Sequence, residues 1–525
     1  MHIWFLKTVF FCISISFLFS QEQTVGVFVY DENAYEGYTL FSPSRDTYLI
    51  NNCGNVINKW SSDYRPGLAI YLLEDGLLLR TNRVNANDFF SGGGIGGALE
   101  KLDWEGNVVW SFQYNSENHH QHHDIEVLPN GNILILAWEK KTAEEAIAKG
   151  RDPALLEDNE LWPEHIIEIE PVGNDDANIV WEWHLWDHLI QDFDTNLANY
   201  GVVADNPQLL NINYVGPGAN SAGGKADWIH ANSLDYNEDL DQIIISSRAL
   251  SEFWIIDHST NTTEAASSSG GNSGMGGDIL YRWGNPLSYD RGDETDRTLF
   301  GQHHVQWIDK DLPGADNILI FNNGNNRPGG EYSSIDEIQL PVSGYNYEIE
   351  SNESYGPSSL FWTYEASNST DFFADHISGC QRLPNGNTLI CSGPQGRFFE
   401  VNNFGDIVWD YTNPVYGNLI LNQGEAPPDG PFGTSPTLTN SVFRCEKFDY
   451  DFVGFLDYDL TSGDPIEGPP YLYPALCEQT TLIEDYKNKK ILKRLDLLGR
   501  EINYKSGFSL DFYSDGSVDK VYYLK

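Results

Sequence analysis

Three histidines, an asparagine and an arginine carry most of the chemical content of this sequence. His230 and Asn232 open the stretch 227–248, DWIHANSLDYNEDLDQIIISSR, which closes on Ser246, Ser247 and Arg248. His123 opens a similar stretch, passing through Leu128-Pro129-Asn130-Gly131-Asn132 into the apolar run at 133–136. His303 opens a third, through an Asp- and Gly-rich turn into Asn317 and the apolar run at 318–321. An imidazole can serve as nucleophile, proton carrier or metal ligand near neutral pH. A guanidinium is a permanent planar cation with forked donors suited to sulfate, phosphate or carboxylate. Brought together, these residues fit a three-histidine zinc site, a nucleophilic histidine with anion-binding neighbours, or a polar plug. Arg248 discriminates, because a cation is repelled by a dicationic metal and suits an anion, and the Asn232 amide can donate to the same oxyanion. Anion chemistry therefore ranks first and a metal site second.

The elements that must position these groups are hairpins. Each stretch reads as strand, polar turn and apolar strand, and an antiparallel hairpin returns Arg248 to the end at which His230 begins. Similar units recur along the chain, and six close on a strand with an aromatic signature, around Trp60, Trp110, Trp181, Trp283, Trp362 and Trp409. Four-strand units with a recurring terminal tryptophan are the pattern of propeller blades, so an all-β, six-bladed β-propeller is expected. The first strand of each blade lines the channel, which brings His123, His230 and His303 to one mouth, with Ser378 at the equivalent place in the sixth unit. The segment 415–465, including Asn440 to Arg444, is expected to supply the closing strand. Inserts near 140–165, 184–226 and 258–278 are expected on the blade faces.

Composition narrows the class of partner. The 525 residues carry a formal net charge of −46, which excludes nucleic acid as a partner because phosphate binding needs a positive surface. Residues 1–20, with Lys7 ahead of a short apolar run, read as a secretory signal peptide, and no second run is long enough for a membrane span. Residues 21–470 form the propeller domain in this reading. The mature cysteines, Cys53, Cys380, Cys391, Cys445 and Cys477, are odd in number and form no disulfide framework. Cys380 and Cys391 flank a hairpin turn and are the one candidate pair, although strand cysteines more often act as small apolar residues. In the tract Asn118 to His123 the histidines other than His123 are expected to be solvated loop residues. The glycine run 91–97 lacks a following helix or lysine, so it is a poor nucleotide-binding loop.

Taken together, these stretches resemble the bacterial arylsulfate sulfotransferases, propeller enzymes that need no phosphoadenosine donor. The resemblance is carried by His123-Asp124-Ile125 with the Leu-Pro-Asn-Gly-Asn turn, by His230-Ala231-Asn232 with Ser246-Ser247-Arg248, and by Gln302-His303 with the strand ending Phe321-Asn322-Asn323-Gly324. It implies that His303 is the catalytic nucleophile, taking a sulfuryl group from an aryl sulfate and passing it to a phenolic acceptor. It also implies that His123, His230, Asn232 and Arg248 bind the sulfuryl oxygens, with no metal or organic cofactor. His304 competes for the nucleophile's role, and His303 is preferred because it is in register with His123 and His230. Well-known members carry an N-terminal β-sandwich used in dimerisation, which this sequence does not show ahead of its blades.

Residues 478–525 are basic against an acidic body and suggest a separate small β module. The elements Leu498-Gly499-Arg500-Glu501 and Asp515-Gly516-Ser517 with Lys520 resemble the type IX secretion sorting domain of Bacteroidetes. That resemblance implies the type IX machinery as a partner and a secreted or cell-surface location. Two other readings compete with the enzyme: a non-enzymatic propeller that binds glycans, phenolics or proteins at its mouth, and a metal-dependent sulfatase.

Overall fold

Short apolar runs separated by Asp-, Asn- and Gly-containing turns fold into a ring of six antiparallel sheets, as the sequence predicts. The computed structural model describes residues 23–84, 89–217, 225–425, 440–477, 491–495, 500, 507–513 and 518–523. The expected signal peptide lies outside the described residues, as do most residues of the two tail elements, 498–501 and 515–520.

Blade two comprises Arg65–Leu72, Leu78–Arg83, Gly97–Leu102 and Val108–Gln113. Blade three comprises His119–Val127, Ile133–Glu139, Glu164–Val172 and Asp176–His184. Blade four comprises Ala231–Asn237, Gln242–Ser247, Glu252–Asp257 and Tyr281–Trp283. Blade five comprises His303–Trp307, Ile318–Asn322, Ser334–Ile338 and Trp362–Tyr364. In blades three and six the first hairpin turns through Leu-Pro-Asn-Gly-Asn. Gly131 and Gly386 take the left-handed position there, at φ +86° and +89°, where a side chain would be strained.

The ring closes twice. Cys445–Asp449, inside the expected closing segment, pairs with Gly37–Phe41 and becomes the inner strand of blade one, ahead of Asp46–Asn51 and Val56–Ser61. Gly26–Tyr30 adds a fifth, outermost strand to blade six, beyond Gly379–Arg382, Thr388–Ser392, Arg397–Val401 and Ile407–Thr412. A disulfide joins Cys53 to Cys477 and ties the residues after the closing strand to blade one. This corrects the expectation from the cysteine count. Cys380 and Cys391 are free and buried, because they face Ile390 and Gly379 respectively across the hairpin and not each other.

The recurring tryptophans have a common task. Five of these six outer-strand indoles donate their N–H to the next blade or its insert: Trp60 to the Asp103 carbonyl at 2.9 Å, Trp110 to Asp176 at 3.1 Å, Trp181 to the Thr260 hydroxyl at 3.2 Å, Trp283 to Pro357 at 2.9 Å and Trp409 to Asn52 at 2.8 Å. Trp183 donates to the Gly277 carbonyl at 2.8 Å, in the insert between the third and fourth strands of blade four. A buried indole supplies apolar area on both ring faces and needs one acceptor for its N–H, so it suits a seam between two sheets. The apolar core is accordingly divided into clusters lying between neighbouring blades.

The tail strands Ile491–Leu495, Gly507–Tyr513 and Val518–Tyr523 form a separate three-stranded antiparallel sheet, the small β module expected there. No helix among the described residues is long and apolar enough to cross a membrane.

Candidate active site

The inner strands of blades three, four and five each break register near the histidines. The shifts fall between the partners Ile135 and Ala137, between Ala231 and Ser233, and between His303 and Val305. His123, His230 and His304 lie at or beside these breaks with φ of 48°, 49° and 47°, the left-handed region that a side chain disfavours. A bulge re-aims the residues beside it, which is how three strands turn imidazoles out of the sheet plane toward one mouth.

Cross-ties between adjacent inner strands hold these bulges in place. Asp124 accepts from the Leu234 N–H at 3.0 Å, Ser233 Oγ from Val305 at 3.1 Å and Asp235 from Trp307 at 2.6 Å. His304 continues the series, its Nδ1 accepting the Cys380 N–H at 3.1 Å. His304 also lines a cavity of about 790 Å³ with Tyr71, Glu126, Asp235, Arg444 and Glu446, away from the other histidines. Its place in the structure is a strand-to-strand link.

His123 and His230 meet edge to face, with ring centroids 4.7 Å apart. Each of the three imidazoles is anchored through Nδ1, and each by a different kind of partner. His303 Nδ1 lies 2.8 Å from Asn323 Oδ1. The Asn323 amide nitrogen donates to the carbonyls of Ala374 at 2.7 Å and Ile377 at 3.1 Å, so its oxygen must face the ring. Nδ1 of His303 therefore carries the hydrogen and Nε2 the lone pair. His230 Nδ1 lies 2.5 Å from the Asp227 carboxylate. His123 Nδ1 lies 2.9 Å from Nδ1 of His122, whose Nε2 is 2.7 Å from Glu164.

Electrostatics keeps two of these rings neutral. Burial and then the Arg248 cation push the His303 imidazole well below its ordinary range, against the hydrogen bond to Asn323. Burial, the neighbouring imidazoles and Arg248 do the same to His123. Asp227 is half-buried, which disfavours its charge, yet the interaction and hydrogen bond with His230 hold its carboxyl below the usual range.

Arg248 completes the cluster from the end of the second strand of blade four, as its spacing from His230 predicts. Its residue surface is 6% exposed, and its Nε has no hydrogen-bond partner. One weak bond runs from Nη2 to the Asp375 carbonyl at 3.4 Å. Among the described residues it makes no ion pair, whereas Arg80, Arg282, Arg382, Arg397 and Arg444 all do. A buried guanidinium without a carboxylate is costly unless an anion completes it.

Asn232 is buried, and one of its amide hydrogens goes to the Gln302 carbonyl at 2.7 Å, which fixes the backbone just ahead of His303. Ser378 is occupied locally, accepting from Gly393 and donating to His376. His120 and His122, expected to be solvated, are wholly buried within strand His119–Val127. The alternation of that strand is masked because both of its faces are covered. The glycine run serves the site without a nucleotide. The His123 N–H donates to the Gly94 carbonyl at 2.7 Å, and a Cβ at Gly94 would fall 2.0 Å from the His123 ring. Asp375-His376 borders the cluster, as does Phe443, whose ring lies 6.3 Å from that of His123.

Asn323, Asp227, His122 and Glu164 are not singled out for a role by sequence reasoning. Asp227 is three residues before His230 and Asn323 lies within Phe321-Asn322-Asn323-Gly324, so both are within its reach. Glu164 gives no local signal.

The chain matches the arylsulfotransferase family profile over residues 46–414, and it belongs to that family. No curated protein matches it in sequence. Among solved structures, a protein of unknown function from Bacteroides caccae is 10% identical, with 79% of this chain and 99% of that chain covered at a TM-score of 0.40. A virginiamycin B lyase from Staphylococcus aureus is 11% identical, with 75% and 85% covered at a TM-score of 0.32. Likenesses at this level carry no weight for function.

Proposed function

We propose, from membership of the arylsulfotransferase family and from the unpaired Arg248 beside neutral imidazoles, that this protein moves a sulfuryl group from an aryl sulfate to a phenol through His303. Nε2 of His303 attacks sulfur, the S–O(aryl) bond breaks and its electron pair leaves with the phenolate oxygen. The ring then carries the sulfuryl group on Nε2 and a hydrogen on Nδ1, its positive charge facing the Asn323 carbonyl. Attack by an acceptor phenol on the same sulfur reverses the sequence and restores the neutral ring. Splitting the transfer this way replaces one difficult displacement with two easier ones.

The observation that carries this reading is the buried Arg248, whose Nε has no hydrogen-bond partner and which makes no ion pair among the described residues, with Asp375 and Asp227 acting on it only at longer range. A cation placed there attracts a sulfate ester and then stabilises charge gathering on the equatorial oxygens. His230 contributes an N–H donor to the same oxygens, His123 presents its Nε2 to the ester beside them, and Asn232 supports the backbone ahead of His303. No step calls on a metal or an organic cofactor. Export rests on two sequence features: the apolar leader at 1–20 and the tail module, read as a type IX sorting domain, support a secreted or cell-surface enzyme.

The test is nitrophenol release from 4-nitrophenyl sulfate by the mature protein, with and without phenol and with chelator present. Phenol-stimulated, chelator-resistant release and a sulfuryl adduct on His303 are expected. Full activity in His303→Ala would overturn the assignment, and release that ignores phenol and needs metal would favour a sulfatase.

A further inference from the structure

Sulfuryl transfer between phenols is also proton transfer, and the reacting groups need somewhere to keep one proton between the two half-reactions. Behind His123 lies a hydrogen-bonded series that ends on a carboxyl. His123 Nδ1 meets His122 Nδ1 at 2.9 Å, and His122 Nε2 meets Glu164 Oε2 at 2.7 Å. Glu164 Oε1 is held by the Ala231 N–H at 2.8 Å, and Trp138 stacks on the His122 ring at 4.0 Å between centroids. His122 and Glu164 have no solvent-exposed surface, and His123 is 3% exposed. Among the described residues, no lysine or arginine pairs with Glu164; His122 is the ionisable group it bonds, with the Asp227 and His230 charges acting on it from farther away.

Two nitrogens facing each other, as in His122 and His123, must be one donor and one acceptor. That condition permits two arrangements of the whole series. In one, Glu164 is a carboxylate accepting from His122 Nε2–H, His122 Nδ1 accepts from His123 Nδ1–H, and His123 Nε2 is bare. In the other, Glu164 is a carboxylic acid donating to His122 Nε2, His122 Nδ1–H donates to His123, and Nε2 of His123 carries a hydrogen. They differ by one proton, and both imidazoles are neutral in each.

We propose that Glu164, His122 and His123 form a proton relay that gives a proton to the departing phenolate and takes one back from the acceptor phenol. This rests on the sulfotransferase reading above. In the first half-reaction His123 Nε2–H protonates the aryl oxygen as the S–O bond breaks, His122 Nδ1–H moves to His123 Nδ1, and the Glu164 proton moves to His122 Nε2. In the second, the acceptor O–H proton passes to His123 Nε2, the other two protons shift back, and Glu164 is again an acid. Protons balance over the cycle, and neither relay imidazole, His122 or His123, has to become an imidazolium. His123 touches substrate in this scheme, and His122 and Glu164 act through it. Burial supports the acid as the resting form, since it raises the Glu164 carboxyl well above the usual range and pushes His122 down to about 3.

The test compares wild type with Glu164→Gln on two donors, 4-nitrophenyl sulfate and phenyl sulfate. Gln keeps a hydrogen bond to His122 but cannot exchange a proton. A phenolate activated by a nitro group leaves without assistance, whereas unactivated phenolate needs the proton. The expected result, read in kcat/KM for the donor because that reports the first half-reaction alone, is a loss of ~100-fold with phenyl sulfate, the lower part of the range for general acid catalysis, and less than ~3-fold with 4-nitrophenyl sulfate. Equal losses on both donors would reduce Glu164 to a structural role and overturn the relay. Wild type that releases neither phenol would instead sink the sulfotransferase reading itself. Should Glu164→Gln fail to fold, a proton inventory of kcat/KM for phenyl sulfate on wild type decides. A bowed inventory, with more than one proton in flight, supports the relay, and a linear inventory or no isotope effect overturns it.

Discussion

Asn323 can turn only its amide oxygen toward His303, because the carbonyls of Ala374 and Ile377 hold its amide nitrogen. The tautomer of His303, the proposed nucleophile, is thereby set, with the lone pair left on Nε2. Asn323→Asp keeps the acceptor but adds a negative charge, which raises the proton affinity of His303. Once protonation is favoured at pH 7, each further 1.4 kcal/mol of that affinity removes about tenfold of the neutral ring and of the rate. The rate of Asn323→Asp should recover as pH rises, while Asn323→Leu should stay low at every pH. A pH profile of kcat/KM separates the two.

Arg248 sets function against stability. Arg248→Met removes a buried cation that makes no ion pair among the described residues and whose Nε is unbonded. Transfer from 4-nitrophenyl sulfate should fall by about 10²–10³, as for loss of an oxyanion donor. Thermal stability should stay level or rise, because desolvation of an unpaired charge is relieved. A fall in Tm of several degrees with activity retained would contradict the role given to this residue.

Gly94 bounds the cluster by having no side chain. With φ at +78° and the His123 ring within 2.2 Å of where a Cβ would stand, Gly94→Ala must displace that ring or the loop. Activity should drop by at least tenfold, with the circular dichroism of the β-sheets unchanged.

His258 provides a pH-dependent tie between blades three and four. Burial disfavours its charge, but hydrogen bonds and charges from Asp241, at 2.7 Å, and Glu168, at 3.1 Å, raise it to about 9. Because this value lies above that of the unfolded chain, the stabilisation is full below about pH 6.5 and is lost as pH rises through 9. At about 1.4 kcal/mol per pH unit it amounts to about 3 kcal/mol at most. His258→Gln should lower Tm clearly at pH 6 and little at pH 10, as read by thermal melts at the two values.

The Cys53–Cys477 bridge spans 424 residues of sequence. Cys53→Ser, or reduction of the wild type, should cost about 2–4 kcal/mol in denaturant unfolding. Cys380→Ser and Cys391→Ser, which keep that bridge, should lose as much stability on reduction as the wild type does.

The propeller and the placing of His123, His230, His303 and Arg248 were legible because hairpins and terminal tryptophans announce themselves by local spacing. The partners behind the histidines were not. Glu164 is 42 residues from His122 and on the third strand of its blade, so only sheet register brings them together. His122 read as a solvated neighbour because a strand covered on both faces shows no alternation. Cys53 and Cys477 carry no spacing that marks a bridge, since the pairing depends on how the ring closes. The choice of His303 over His304 rests in the structure on a bulge, which places one ring in the cluster and the other on the Cys380 backbone.

Ring closure by Cys445–Asp449 also imposes an order of assembly. Blades two to five are each built from one continuous stretch, while blade one waits for a strand encoded near the far end of the propeller. A chain emerging amino terminus first presents the Gly37–Phe41 edge unpaired throughout that interval, open to strand addition by any neighbouring chain. The same late segment brings Phe443 beside His123 and Arg444 to Asp124. The proposed catalytic mouth is therefore completed by the same closure that covers the Gly37–Phe41 edge.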